Sequence, residues 1–395
     1  MKIALFTDNF YPELSGISDS IIVLARELAR RGHAVRIYTP RYGKRDYERA
    51  KVPFQEIALG DRVRIVRLPA LRVPGAPTGQ GRAAFCGIRG LLDIYRFAPD
   101  VIHTQLFFGV GLSALFISRL LRKPLVGTNH TAIKEFAHYI SKYAFVGHWL
   151  EKYVVWYYNR CLFVTGPSES VLTEMVAAGF KAPHRALSNP VAVRDFALTV
   201  PIAERAVLKK KFGLTEHTLV YAGRLAREKN VDEIISALAL MRQIVPDACL
   251  ALAGHGAALT ELRAQAEKLG VVVKFLGFLK KDELVLLYQA AEIFTIMSRS
   301  ETQGLSMMQA MAAGLPVIAA RARALPEYVN AENGILVEHG DVVSLARAAA
   351  ELFQNNEKRA ALGRGGQKYV QRFSPENIAA EWEKIYEKAA FGLNN

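Results

Sequence analysis

Short apolar runs alternate with helical periods twice along this chain, and that alternation leaves few folds open. In the first half, residues 2–7, 34–39, 63–68, 101–103 and 125–128 read as strands. Between them, residues 18–31 place Ile21, Ile22, Leu24, Ala25, Leu28 and Ala29 on one helical face and stop at Gly32, with further helices near 87–96 and 109–121. The second half repeats the pattern with strands at 219–223, 248–253, 271–275, 293–297, 316–320 and 334–337. Helices at 341–354 and 357–372 follow, and then an amphipathic helix at 375–390 carrying Ile378, Trp382, Ile385 and Tyr386. Strands joined through helices run parallel and are covered on both faces. The expected fold class is therefore α/β, with two Rossmann-like β/α/β domains.

A chain of 395 residues exceeds one ordinary core, which agrees with two domains. Hydrophobic content of 51% with 22% charged residues describes an ordered globular protein and excludes intrinsic disorder. Cys86, Cys161 and Cys249 are too few and too scattered for a disulfide framework or a zinc cluster, and read as small buried thiols in a reducing compartment. The first six residues are followed by Asp8 and Asn9, so they read as a strand rather than a leader. No run approaches the ~20 apolar residues of a membrane span. The longest attempt, 106–121, holds two glycines and Arg119.

Net charge is +14 and unevenly shared. Residues 1–190 hold 26 Lys and Arg against 14 Asp and Glu, and the remainder holds 25 against 23. A basic first half beside a near-neutral second half points to an anionic surface near one domain. Arg41, Lys44, Arg45, Arg49, Lys51, Arg62, Arg64, Arg67 and Arg72 crowd an irregular segment, 41–82, rich in Gly and Pro. Trp149, Trp156, Tyr157 and Tyr158 lie near a further basic stretch and suit a membrane interface. Nucleic acid is not an expected partner, because no helix-turn-helix, zinc finger or aromatic RNA-binding motif is present.

The chemistry falls on loops that follow strands, where ligands bind in open α/β sheets. Gly223-Arg224-Leu-Ala-Arg-Glu-Lys229-Asn230 places a planar guanidinium and a compact ammonium around one turn, able to converge on a diphosphate. Glu301-Thr-Gln-Gly304-Leu305-Ser-Met-Met-Gln309 follows a strand and opens a helix, whose N-terminal N–H groups favour an anion. Gly254 within Ala253-Gly-His-Gly256, and Phe278 after Lys274-Phe-Leu-Gly277, end neighbouring strands and could border a nucleobase or form plain turns. Pro12-Glu-Leu-Ser-Gly16-Ile17 follows the first strand and lets a backbone or phosphate approach closely. Thr128-Asn-His130-Thr131 ends another strand with a histidine able to bond a sugar hydroxyl, and His103 is a weaker candidate of the same kind. No D-x-D and no metal-spaced His or Cys cluster occurs, so no metal and no cofactor are expected. Cations and helix dipoles would then neutralise a leaving diphosphate.

Together these motifs resemble the retaining glycosyltransferases of GT-B architecture, family 4-like, over nearly the whole chain. Glu301-Thr-Gln-Gly-Leu, and Asn129-His130-Thr131 followed by His138-Tyr-Ile, are most similar to the branch that makes diacylglycerol glycolipids. The resemblance implies an acceptor domain of residues 1–193 completed by a C-terminal helix of 374–395 that crosses back to it, and a donor domain of residues 194–373, facing each other across a cleft. It implies Glu301 and His130 as catalytic residues. Arg224, Lys229, Gly304, Leu305 and Gly16 would hold the donor diphosphate, and Gln309, Gly254 and Phe278 its ribose and base. Two positions depart from the pattern: Gln309 stands where relatives carry glutamate, and Arg321-Ala-Arg-Ala324 replaces a glycine-rich approach to Leu325-Pro-Glu327.

The expected function is transfer of a sugar, with retention, from a UDP- or GDP-sugar to a hydroxyl. A membrane glycerolipid such as diacylglycerol is the favoured acceptor, met at an anionic membrane surface by a cytoplasmic protein peripheral to the inner face of the cell membrane. A soluble sugar, polysaccharide or lipopolysaccharide acceptor, and a non-catalytic nucleotide-sugar-binding role, are the alternatives.

Overall fold

The computed structural model describes residues 1–13, 15–73, 79–131, 144–197 and 201–392. It divides into two compact units, Met1–Pro190 with Pro375–Asn395, and Val191–Ser374. His138-Tyr-Ile, Leu14, and Pro74, Gly75 and Pro77 lie outside the described residues.

Nine strands lie among the described residues of the first unit: β1 (Lys2–Phe6), β2 (Ala34–Pro40), β3 (Val63–Leu68), β4 (Ala70–Arg72), β5 (Arg82–Ala84), β6 (Val101–Thr104), β7 (Leu125–Thr128), β8 (Phe163–Gly166) and β9 (His184–Ala186). Seven of them form one parallel sheet in the order β3-β2-β1-β6-β7-β8-β9. The second unit holds β10 (Thr218–Ala222), β11 (Cys249–Ala253), β12 (Val273–Gly277), β13 (Ile293–Ile296), β14 (Val317–Ala320) and β15 (Gly334–Val337). They too are all parallel, in the order β12-β11-β10-β13-β14-β15. In each sheet the order reverses beside its first strand, between β1 and β6 and between β10 and β13. Crevices at the C-terminal ends of strands at such a reversal are where this fold class binds ligands.

The central strands are apolar and fully covered, as β10 and β11 show. The helix Gly16–Arg30 illustrates how the sequence sets its own limits. Ser15, extended, accepts from the Ser18 N–H, and Asp19 sits in the first turn. Ile21, Ile22, Leu24, Ala25 and Leu28 form the buried face. Gly32, at φ +96°, then ends the helix: its N–H reaches the Ala29 carbonyl and that of His33 reaches Leu28.

The closing helix Pro375–Phe391 buries Ile378, Ala379, Trp382, Ile385 and Tyr386, one stripe at helical spacing. It packs on the helix Gly16–Arg30 and on β6 and β7. Glu383 pins it, accepting from Arg31 Nε and Nη2 at 2.9 and 2.5 Å and bonding His33 Nε2 at 2.7 Å. The hydrogen bonds from Arg31 dominate over the cost of partial burial, and the Glu383 pKa falls to about 2.

The described part of segment 41–82 is more ordered than its composition suggests. The Gly43 N–H bonds Asp46 Oδ2 at 2.9 Å and starts the helix Lys44–Arg49, and β4 pairs antiparallel with β5. Part of the positive charge is consumed internally. Arg67, only 13% exposed, forms a bidentate pair with Glu56, Arg82 pairs with Asp46, and Arg36 with Asp93.

Candidate functional site

In the second unit, the loops after β10 and β13 meet because the sheet order makes these strands neighbours. The Glu228 carbonyl accepts from the Arg299 N–H at 3.3 Å and so ties one loop to the other. Lys229 Nζ donates to Glu301 Oε1 at 2.6 Å and lies 3.4 Å from Ser300 Oγ. Arg224 Nη2 donates to Glu228 Oε1 at 2.7 Å. Burial opposes the Glu301 carboxylate, but Lys229, a hydrogen bond from Ser298 and the charge of Arg224 outweigh it and hold its pKa below the ordinary value. Two cations and a largely buried carboxylate thus share one cluster of loops.

Gly304 caps the next helix, Leu305–Ala312, at φ +82° and ψ +57°, a conformation that a Cβ would strain. Met307, Met308 and Met311 of that helix are core, while Leu305, Ser306 and Gln309 stay partly exposed on one side. Gln309 therefore lies one turn past Leu305 on the accessible side of the helix that begins at the Glu301 loop. Its amide makes no hydrogen bond among the described residues.

Gly254 has a structural explanation. A Cβ there would meet the Gly223 carbonyl oxygen at 1.8 Å, so the glycine lets the loops after β10 and β11 touch. Its N–H is spent on the Gly277 carbonyl at 2.8 Å. Gly254 and Phe278 end β11 and β12, on the opposite side of β10 from Glu301.

In the first unit, Gly16 opens the helix after β1, next to the Ser15 hydroxyl that donates to Asn9 Oδ1 at 2.6 Å. His130 sits just beyond β7, 7% exposed, with Nε2 bonded to Gln105 Oε1 at 2.7 Å. Burial pushes its pKa down to about 3, so the ring is neutral at physiological pH. His103 is not a loop residue facing a ligand. It lies inside β6 with no exposure, its nitrogens 2.8 Å from Tyr386 Oη and from Thr128 Oγ1, and its ring 4.2 Å from that of Trp382. Its role is to seat the closing helix.

Tyr157 and Tyr158 are also core, their hydroxyls bonded to Gly111 and Thr128 carbonyls, and so cannot form an interface. Trp149 and Trp156, 66% and 42% exposed, remain on the surface of the helix Ala144–Tyr158, with exposed Lys152 between them and Arg160 stacked 4.0 Å over Trp156.

Sequence reasoning missed Gln105, Glu228, Ser298 and Asp8. Gln105 directly follows β6, and Asp8 and Ser298 lie two residues beyond β1 and β13, which was the available signal; Glu228 lies within the short 3-10 turn Arg227–Lys229. The buried Asp8 carboxylate accepts from the Val110 and Gly111 N–H groups, yet burial outweighs those bonds and lifts its pKa to about 7. No group of three or more His, Cys, Asp or Glu side chains with metal-ligand proximity occurs among the described residues, and no helix there is long and apolar enough to cross a membrane.

Two doubly wound parallel sheets, with the closing helix returned to the first unit, are the architecture of the GT-B glycosyltransferases. Residues 14–195 match the Glycosyltransferase Family 4 model, and residues 204–369 match the Glycosyl transferases group 1 model. An alpha-monoglucosyldiacylglycerol synthase of Streptococcus pneumoniae is 32% identical over 81% of this chain and 71% of its own length. Another, from Acholeplasma laidlawii, is 24% identical over 98% of this chain and 96% of its own. The crystal structure of Anabaena HepE in complex with UDP and glucose superposes with a TM-score of 0.75 at 21% identity, covering 98% of this chain and all of that one. The chain belongs to the group 1, family 4-type glycosyltransferases.

Proposed function

We propose that this protein transfers a sugar from a UDP- or GDP-sugar to a lipid hydroxyl with retention of the anomeric configuration, using no metal. The observation that carries the donor half is the cluster of Arg224, Lys229 and Glu301 at the β10/β13 reversal, beside the helix that starts at Leu305. Two cations and a helix N-terminus suit a leaving diphosphate. Gly304 and Leu305 would offer N–H groups to it, and Gly16 would let a phosphate approach closely. Gln309 would contact the ribose, with Gly254 and Phe278 nearer the base. Glu301 would support the positive charge that develops on the sugar, and His130 would accept from a sugar hydroxyl.

A glycerolipid such as diacylglycerol is the acceptor we favour. Two synthases of a glucosyldiacylglycerol are among the similar proteins. The first unit also carries exposed faces that interleave cations with large apolar groups: Trp149, Lys152, Trp156 and Arg160, and Ile88, Arg89, Leu92, Tyr95 and Arg96. Such faces suit an anionic bilayer, each cation contributing ~1 kcal/mol near the surface. We place the protein on the cytoplasmic side of the cell membrane, attached peripherally.

The test combines product analysis and sedimentation. Purified protein incubated with UDP- and GDP-sugars and diacylglycerol vesicles should yield a glycosylated lipid by mass spectrometry, with the donor's anomeric configuration kept by proton NMR. It should sediment with anionic vesicles and not with neutral ones, and less at high salt. Glycosylation of soluble sugars alone, with no vesicle binding, would transfer the assignment to a soluble or polysaccharide acceptor. An inverted product would end the retaining assignment.

A further inference from the structure

Gln105 and His130 meet at the C-terminal ends of β6 and β7, beside the reversal of the first sheet. Gln105 is 2% exposed, and its backbone N–H continues the sheet by bonding the Phe6 carbonyl at 2.8 Å. Its amide has two chemically different ends, and both are engaged. The NH2 group lies 3.2 and 3.1 Å from the ring nitrogens of His103. The oxygen lies 2.7 Å from His130 Nε2.

An amide oxygen only accepts, so Nε2 of His130 must carry the hydrogen. In the neutral ring, Nδ1 then holds the lone pair. Nδ1 is buried and has no hydrogen-bond partner among the described residues. Buried acceptors are satisfied in the great majority of cases, and an orphan invites a missing donor. His130 lines a small pocket with Ser20, Ile21, Gln105, Leu187 and Trp382.

The reverse orientation of the amide would set its oxygen against the His103 nitrogens. His103 is also held neutral by burial, and by the adjacent His130; its single N–H and single lone pair are already matched by the Tyr386 and Thr128 hydroxyls at 2.8 Å, which leaves no ring N–H for an amide oxygen. His103 is itself fixed by Tyr386 and Trp382 of the closing helix. The order therefore runs from that helix through His103 and Gln105 to His130.

We propose that Gln105 is a positioning residue: it locks His130 in the Nε2–H tautomer, so that Nδ1 is presented as the acceptor for a hydroxyl of the sugar substrate. This rests on the assignment of His130 to the substrate site. A hydroxyl that donates to a neutral imidazole is held and oriented without adding charge beside the developing cation.

The first measurement uses the wild-type full chain. Long-range proton–nitrogen NMR of histidine-labelled protein, with His130 assigned by comparison with His130→Ala, should show a pyrrole-type Nε2 and a pyridine-type Nδ1. The opposite tautomer overturns the proposal. The second uses Gln105→Met, which keeps length and loses the acceptor, with Gln105→Leu as a check on packing. Both should lower kcat about tenfold or more while KM for the nucleotide sugar and the thermal midpoint change little. Normal kcat in either folded variant, alongside a severe His130→Ala defect, rejects the positioning role alone. Normal turnover in His130→Ala rejects the site assignment on which it rests.

Discussion

Lys229 and Glu301, 72 residues apart in sequence, form an ion pair of 2.6 Å whose side chains are only 14% and 17% exposed. The ammonium assigned to the donor diphosphate is thus already engaged by the carboxylate assigned to the sugar. A diphosphate that binds here must draw Lys229 away or share it, and Arg224, paired with Glu228, faces the same choice.

The cations should therefore govern nucleotide affinity. Each charge-assisted contact is worth ~1.5–3 kcal/mol, so Arg224→Ala or Lys229→Ala should weaken UDP or GDP binding roughly tenfold or more by calorimetry. Turnover should survive EDTA. Loss of activity on chelation with recovery on Mg²⁺ or Mn²⁺ would replace the cation assignment with a metal.

Glu301 should act mainly on the transition state. Glu301→Ala is expected to lower kcat on the order of a hundredfold, with a smaller change in product-nucleotide affinity. Near-normal single-turnover rates in this variant would remove the residue from the chemistry.

The sequence made the strand and helix alternation legible, together with the two parallel sheets and the closing helix, because apolar periodicity reports burial directly. It did not reveal β8 or β9. Phe163–Gly166 is four residues that end on a glycine just before Pro167, and His184–Ala186 is a polar three-residue edge. The loop chemistry was legible as residue types, but not as pairs. Lys229 meets Glu301 only because β13 lies beside β10, a choice of strand order that local sequence does not state. Likewise nothing around His103 distinguished a histidine aimed at substrate from one seated under Tyr386, since both end short apolar strands. Tyr157 and Tyr158 were misread because an aromatic near basic residues has the same local pattern on the inward and the outward face of a helix.

Gln309 should prove a weak ribose contact. A carboxylate accepts hydroxyl hydrogen bonds more strongly than a neutral amide. Gln309→Glu should tighten nucleotide binding or leave it unchanged. A loss of tenfold or more by equilibrium titration would mean that the pocket is built around the amide.

The closing helix should loosen in acid. The Glu383 pKa is depressed, so its contribution is fully present above the ordinary carboxylate value of 4.5 and is lost as pH falls from there to about 2. Glu383→Gln should reduce the stability of the first unit by on the order of 2–3 kcal/mol at pH 6, and the gap should close below pH 3. A gap between the two melting curves that stays constant from pH 7 to pH 3 would show that the pair with Arg31 and His33 is not what holds the helix.

The position of that helix also fixes an order of events during synthesis. Domains tend to fold from the N-terminus as the chain leaves the ribosome. Here the strands β6 and β7 emerge early, but Trp382 and Tyr386, which seal His103 against them, are translated after the whole second unit. The first unit is begun first and finished last, so the nascent chain carries an unsealed apolar seam for the time it takes to build its other half.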